Sequence, residues 1–245
     1  LKILAVVVAL TLITYWGVEP YAHHQMHPQV EAADFTFADV KKDVEDVTAL
    51  QGDATSGEAL VTANCTACHS IESKGFPQLM DNASSGAAYG VTPPDLGSAG
   101  KLYDATYLAA FIKDPASASK VAHKFVDGKV HPMPSYNWMQ PQEIADMVAY
   151  LKSIAPKEMT NKEVFTDSCQ RCHAIKYADM KGGSMAAFTP KDDVKHYMGK
   201  FPPDLSQYIK SRGHHYLETF INSPEKHLEG TAMPRVGLNE ESQAQ

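Results

Sequence analysis

The chain opens on an unbroken apolar run from Ile3 to Val18 that carries no charge. Its sixteen residues fall slightly short of a bilayer span, which takes ~20. The chain starts at Leu1 rather than Met, so preceding residues are expected. Tyr15 and Trp16 at the far end of the run suit a membrane–water interface. The next stretch, Glu19-Pro20-Tyr21-Ala22-His23-His24, offers no small-x-small cleavage site. An uncleaved anchor is therefore expected ahead of a cleaved signal peptide, and either places the bulk of the protein outside the cytoplasm. Pro20 and Pro28 are expected to interrupt any helix, and polar chain follows. Farther on, Pro141 with Glu143 in the first turn starts the strongest helix. Ile144, Met147, Val148 and Leu151 follow at i, i+3, i+4 and i+7, one apolar stripe.

The pattern recurs after about 105 residues. Each copy begins with Thr-x-x-Glu, a capping-box signature, at Thr55 with Glu58 and at Thr160 with Glu163. A short helix then leads into Cys65-Thr66-Ala67-Cys68-His69 in one copy and Cys169-Gln170-Arg171-Cys172-His173 in the other. Pro-Pro-Asp-Leu follows, from Pro93 to Leu96 and from Pro202 to Leu205. Next come matching helices, Tyr107 to Pro115 and Tyr216 to Pro224, and then the pairs Met133-Pro134 and Met233-Pro234. Five features in one order indicate duplication. Ser84-Ser85-Gly86 and Gly182-Gly183-Ser184 read as loops. About five residues link the copies. Such a linker reaches under ~20 Å, so the copies must lie against each other. Asn239-Glu240-Glu241-Ser242 resembles a helix start and the chain stops at Gln245, which predicts that a final helix of the second copy lies in a longer parent sequence.

Lys and Arg number 22 against 29 Asp and Glu, a net charge of −7 that argues against nucleic-acid binding. The deficit is local: Glu31, Asp34, Asp39, Asp43, Glu45, Asp46, Asp53 and Glu58 face only Lys41 and Lys42. This segment reads as a solvated tether, repelled by anionic headgroups. The sharper alternative is a steering surface for a basic partner.

The four cysteines all fall in the two Cys-x-x-Cys-His motifs, the signature of c-type haem attachment. Two thiols one turn apart can form thioethers to the two vinyl groups of one porphyrin, and the adjacent imidazole then points at the iron. A zinc ribbon would pair its Cys-x-x-Cys units 15–20 residues apart, whereas Cys65 and Cys169 are separated by 104. A thioredoxin-like pair has no use for the histidine. Met133, 64 residues beyond His69, and Met233, 60 beyond His173, are the candidate sixth ligands. A thioether opposite histidine raises the reduction potential. Met139, Met185 and Met198 are reserves. His131, His123 and His227 are weaker candidates, because no histidine matches His131 in the second copy. His23, His24 and His27 could bind a metal, although membrane-surface contact is the simpler reading. A proline carbonyl of each Pro-Pro-Asp-Leu can accept the second N–H of the ligand histidine, fixing its ring.

These motifs resemble class I cytochrome c domains over roughly residues 52–245. The segment from Thr14 through Tyr15-Trp16-Gly17-Val18-Glu19-Pro20 to Met26-His27-Pro28 resembles the anchor of the dihaem cytochrome c1-type subunit of epsilonproteobacterial cytochrome bc complexes. The resemblance implies an all-α protein of two tandem class I cytochrome c domains behind an N-terminal transmembrane helix. The divisions are 1–19, anchor; 20–51, acidic juxtamembrane tether; 52–155, first domain; and 156–245, second domain, truncated at its C-terminal end. It implies two covalently bound haem c groups held by Cys65 and Cys68 and by Cys169 and Cys172. His69 with Met133 and His173 with Met233 would ligate their irons. The implied partners are a Rieske iron–sulfur protein and a cytochrome b subunit as donors, with a soluble cytochrome c or terminal oxidase as acceptor. The implied place is the inner (cytoplasmic) membrane, with the haem domains in the periplasm. Ordinary cytochrome c1 carries one haem and a C-terminal anchor, so its docking scheme does not transfer. The alternatives are a dihaem subunit of a cytochrome c oxidase and a dihaem peroxidase. The peroxidase needs an iron with a displaceable ligand, against which two methionine candidates argue. No acid–base or nucleophilic constellation is visible, so the chain reads as an electron carrier whose catalysis belongs to an assembled complex.

Overall fold

A computed structural model describes residues 1–26, 31–181, 195 and 199–245. Among the described residues the structure is helical, with isolated bridges and no strand. It divides into two units, Leu1–Ala32 and Ala33–Gln245.

The first unit holds one described helix, α1 (Lys2–Met26), long and apolar enough to cross a membrane and with none of its apolar window buried. Its 25 residues make a rod of roughly 37 Å at ~1.5 Å per residue, longer than the ~30 Å hydrocarbon core. The expectation that Pro20 ends the helix is corrected here. Thr14–Val18 widens into a π turn just before Glu19–Met26. Such a turn accommodates the missing proline N–H and relieves the clash of the ring with the preceding turn. Pro28 and His27 lie outside the described residues.

In the second unit, α2 (Ala54–Asn64) crosses α4 (Pro141–Ile154), and α3 (Ala105–Lys113) completes the first core. Gly57 permits the crossing: a Cβ there would overlap the Asp146 carbonyl and meet Tyr150 Cβ at 2.8 Å. Helix α4 starts at Pro141 inside a capping box formed by Gln140 and Glu143, and it buries Ile144, Met147, Val148 and Leu151 as the stripe predicts. Each such side chain contributes about 1.5–3 kcal/mol. Asp104 caps α3 by accepting from the Thr106 and Tyr107 amides. The start of α2 differs from expectation. Asp53, not Thr55 with Glu58, is the cap, accepting from Thr55 and Ser56 N–H. The Asp53 carboxylate takes up the free amides two and three residues on, so the helix starts two residues earlier than a Thr55 cap would allow.

Two further differences are physical. Within the segment read as a tether, residues beyond Ala33 form a layer of the fold. Phe37, Val40, Val44 and Val47 are buried in the first core, while Asp43, Glu45 and Asp46 stay outside. The valines recur at three- and four-residue spacing, so the charges occupy only the outer face. Ser84-Ser85-Gly86 lies inside a helix, Asn82–Tyr89, because Asp81 caps it and Gly90 at φ 69° ends it. Gly182-Gly183-Ser184 lies outside the described residues.

The second copy supplies α5 (Asn161–Ser168), with the expected Thr160–Glu163 capping box, then α6 (His214–Asn222) and α7 (Glu240–Ala244), capped by Asn239. The two copies share a buried cluster of Leu102, Val164 and Leu238. A Tyr103–Leu238 bridge and a Tyr107 hydroxyl donating to the Arg235 carbonyl at 2.6 Å reinforce it.

Candidate functional site

Helix α2 ends at Cys65, and the chain continues through one tight turn. Cys68 N–H and His69 N–H both donate to the Cys65 carbonyl, at 3.1 and 2.9 Å. Helix α5 ends at Cys169 in the same way, with Cys172 and His173 donating to its carbonyl at 3.0 and 2.9 Å. The turn sets each pair of thiols one helical step apart with a histidine directly behind. All four cysteines are unbridged and half-buried. Burial, reinforced by neighbouring Cys68, pushes the Cys65 thiol up to about 12, and burial likewise raises Cys169 and Cys172. Among the described residues no three His, Cys, Asp or Glu side chains converge as a metal-binding group.

The two histidines are held alike. His69 Nδ1 lies 2.7 Å from the Pro94 carbonyl, and His173 Nδ1 lies 2.8 Å from the Pro203 carbonyl. A carbonyl can only accept, so each Nδ1 carries the proton and each Nε2 keeps its lone pair. Burial lowers the pKa of both rings, against the raising effect of the carbonyl bond. The shift favours the neutral imidazole, the protonation state that ligates iron.

The carbonyls are fixed in turn. Leu96 N–H donates to the Ser70 carbonyl at 2.9 Å, and Leu205 N–H to the Ala174 carbonyl at 2.8 Å. Asp95 accepts from Ser70 Oγ, Glu72 N–H and Gly97 N–H, and Asp204 accepts from Lys176 N–H and Ser206 N–H. Behind each histidine runs the same short turn, closed by the bridges Ile71–Phe76 and Ile175–Met180. Gly75 and Asp179 take its left-handed position at φ 76° and 53°. The histidine–proline and main-chain bonds thus match around both motifs, whereas the Ser70–Asp95 bond has no counterpart at Ala174.

Met133 and Met233 are both half-buried. His131 Nδ1 lies 3.0 Å from the Met133 carbonyl and 3.1 Å from the Met133 amide nitrogen, and Met233 N–H donates to Thr231 Oγ1 at 3.1 Å, each partner two residues back. Thr231 is the second-copy counterpart that leaves His131 without a histidine match. His131 is boxed edge-on by Phe111 and Phe125, and His227 packs on Tyr216 and Phe220. Met139 is 6% exposed in the first core. His123 is exposed, whereas Met185 and Met198 lie outside the described residues. His23 and His24 lie on α1.

At each motif two free thiols one turn apart and an imidazole whose Nδ1 is engaged by a proline carbonyl are residues of the kind that hold haem c. Asp95 and Asp204 escaped attention in the sequence, although their recurrence inside Pro-Pro-Asp-Leu was a signal. The arginine between Cys169 and Cys172 gave none, because its contact lies in the other copy.

The sequence profile of the family Cytochrome c matches residues 54–155, the span from the start of α2 to the end of α4. A cytochrome c-553-like protein of Synechocystis sp. is 30% identical over 120 residues, covering 49% of this chain and 87% of that protein. No solved structure matches the chain.

Proposed function

The chain belongs to the cytochrome c family, and we propose that it is the membrane-anchored dihaem electron-transfer subunit of a quinol–cytochrome c reductase. One observation carries the two-haem part. Both motif histidines present the same imidazole tautomer to the same proline carbonyl, although the copies differ in most other residues. Haem c, when bound, supplies a one-electron iron couple at each motif. Cys65 and Cys68, and Cys169 and Cys172, would tether it; Pro94 and Pro203 orient His69 and His173, which would ligate the iron; Met133 and Met233 would supply thioether sulfurs. The chain's work is to hold these ligands rigid, which keeps reorganisation small. Thioether ligation favours the ferrous state and so suits an acceptor of electrons from a Rieske centre.

The partner reading rests on the N-terminal segment. A helix of membrane-crossing length with Tyr15, Trp16 and Pro20 at the described positions supports an anchor in the inner membrane. The haem domains then sit on the periplasmic side. The Rieske iron–sulfur protein and cytochrome b supply electrons, and a soluble cytochrome c or terminal oxidase receives them.

Two measurements test this. A pyridine haemochrome assay against protein concentration should give a ratio near two, with colour retained by protein after acid–acetone extraction. A ratio of one would end the two-haem reading. Stopped-flow reduction of membranes by a menaquinol analogue should be abolished by inhibiting the quinol-oxidising site. Full-rate reduction under inhibitor, or co-purification with a haem–copper oxidase and no cytochrome b, would assign the chain to an oxidase instead.

A further inference from the structure

The two motifs differ at one position of chemical weight: Ala67 in the first corresponds to Arg171 in the second. The Arg171 side chain leaves its own copy. Its Nη1 donates to the Thr92 carbonyl at 3.2 Å. Thr92 is 2% exposed and stands two residues before Pro94, whose carbonyl holds His69. The Arg171 Nε is buried with no hydrogen-bond partner among the described residues. No carboxylate among the described residues forms an ion pair with it. A cation in this setting is poorly screened, and its field reaches farther than that of a surface charge. Arg171 stands between the thiols of its own motif, Cys169 and Cys172, but its guanidinium reaches across to the first copy at Thr92.

We propose that Arg171, carried by the second motif, is the residue that tunes the first site, raising the reduction potential of the haem held at His69. The inference rests on the two-haem reading above. A fixed positive charge beside a site disfavours the oxidised, more positive state of that site and favours the reduced one. The bond to Thr92 holds this charge against the segment that orients His69, so the second motif biases the first without touching its ligands.

The test is a spectroelectrochemical titration of the full chain with its haem content measured on the same samples. Met133→His in a parallel sample identifies which redox component belongs to the first site. Arg171→Gln should shift that component downward by about tenfold in its oxidised-to-reduced ratio, ~59 mV for one electron, and move the other component less. Arg171→Lys keeps the charge and should restore most of the shift. Arg171→Ala, the residue type of the first motif, serves where the glutamine variant loads haem poorly. Two haems with an unmoved first component would overturn the proposal, as would a shift confined to the other component. Equal shifts in the glutamine and lysine variants would assign the effect to the Thr92 bond and overturn it too. A wild-type count below two haems would instead defeat the two-haem reading itself.

Discussion

Arg235 Nη1 lies 2.9 Å from both carboxylate oxygens of Asp39, joining residues 196 positions apart. The guanidinium is 3% exposed and also donates through Nε to the Asn222 carbonyl and through Nη2 to Ser223 Oγ. Its plane lies over Phe37 at 5.4 Å, and its backbone N–H donates to the Ser119 carbonyl. Arg235 stands two residues beyond Met233, so the candidate ligand loop of the second copy is clasped by the acidic segment and the first copy. Asp39→Asn removes the charge that answers Arg235 and Lys120, whose Nζ is 2.6 Å away. It should cost about 1–2 kcal/mol, the lower part of the range for stranding a buried charged donor, because Asp39 is itself partly solvated. Chemical denaturation of the full chain measures it.

The same residue sets a pH dependence. Burial alone would raise the Asp39 carboxyl, but the hydrogen bonds and charges of Lys120 and Arg235 outweigh it and hold the group below its ordinary 3.8. The folded value is depressed, so the stabilisation is fully present above 3.8 and is lost as pH falls through the lower folded value. The stability difference between wild type and Asp39→Asn should therefore be constant near neutrality and close only in acid. A difference that instead narrowed between pH 6 and 8 would exclude Asp39 as its source.

Gly237 marks where the copies touch. Its φ is 75°, and a Cβ there would fall on the ring of Tyr107. Gly230 has a similar φ of 69° with open space around it. Both alanine variants bear the left-handed backbone cost of about 1–2 kcal/mol, but only Gly237→Ala adds overpacking, about 1–3 kcal/mol more. Thermal melts of the two variants should differ by that margin. Equal melting temperatures would show that Tyr107 moves aside freely.

Much of this was legible in the sequence because it repeats there. The motifs, the proline carbonyls and the stripe of Ile144, Met147, Val148 and Leu151 each recur or keep a period. What was illegible depends on partners far along the chain. Arg235 reads as an ordinary surface cation until Asp39 and Ser223 are seen around it. Val40, Val44 and Val47 were hidden among acids, whose charge drew attention to the outer face of a segment with a buried inner one. Gly57 gave no sign that it admits α4, because a glycine inside a helix announces only weakness.

Asp95 should act as a positioning residue for His69. It ties Ser70, Glu72 and Gly97 around the Pro94 carbonyl. Asp95→Ala should loosen that carbonyl and lower stability by about 1–3 kcal/mol through its lost bonds. On the two-haem proposal it should also broaden the ferric EPR signal of the haem held at His69 while leaving the other unchanged. Asp95→Asn keeps the acceptor oxygen and should restore most of the sharp signal. A variant that lost stability with both EPR signals unaltered would limit Asp95 to a structural role.

Met133 and Met139 offer the clearest separation of ligand from filler. Met133 is half-buried on a loop pinned by His131, whereas Met139 is enclosed in the first core. Imidazole stabilises ferric iron relative to a thioether. If Met133 is a ligand of one of two haems, as proposed, Met133→His should therefore lower one potential by more than the ~59 mV that marks a tenfold change and leave the other nearly unmoved. Met139→Leu conserves volume in a packed core, so it should cost under about 1.5 kcal/mol and leave both potentials in place. The reverse pattern, in which Met139→Leu shifts a potential and Met133→His does not, would transfer the ligand role to Met139. It would also require the core around Ile144 and Met147 to open toward the iron.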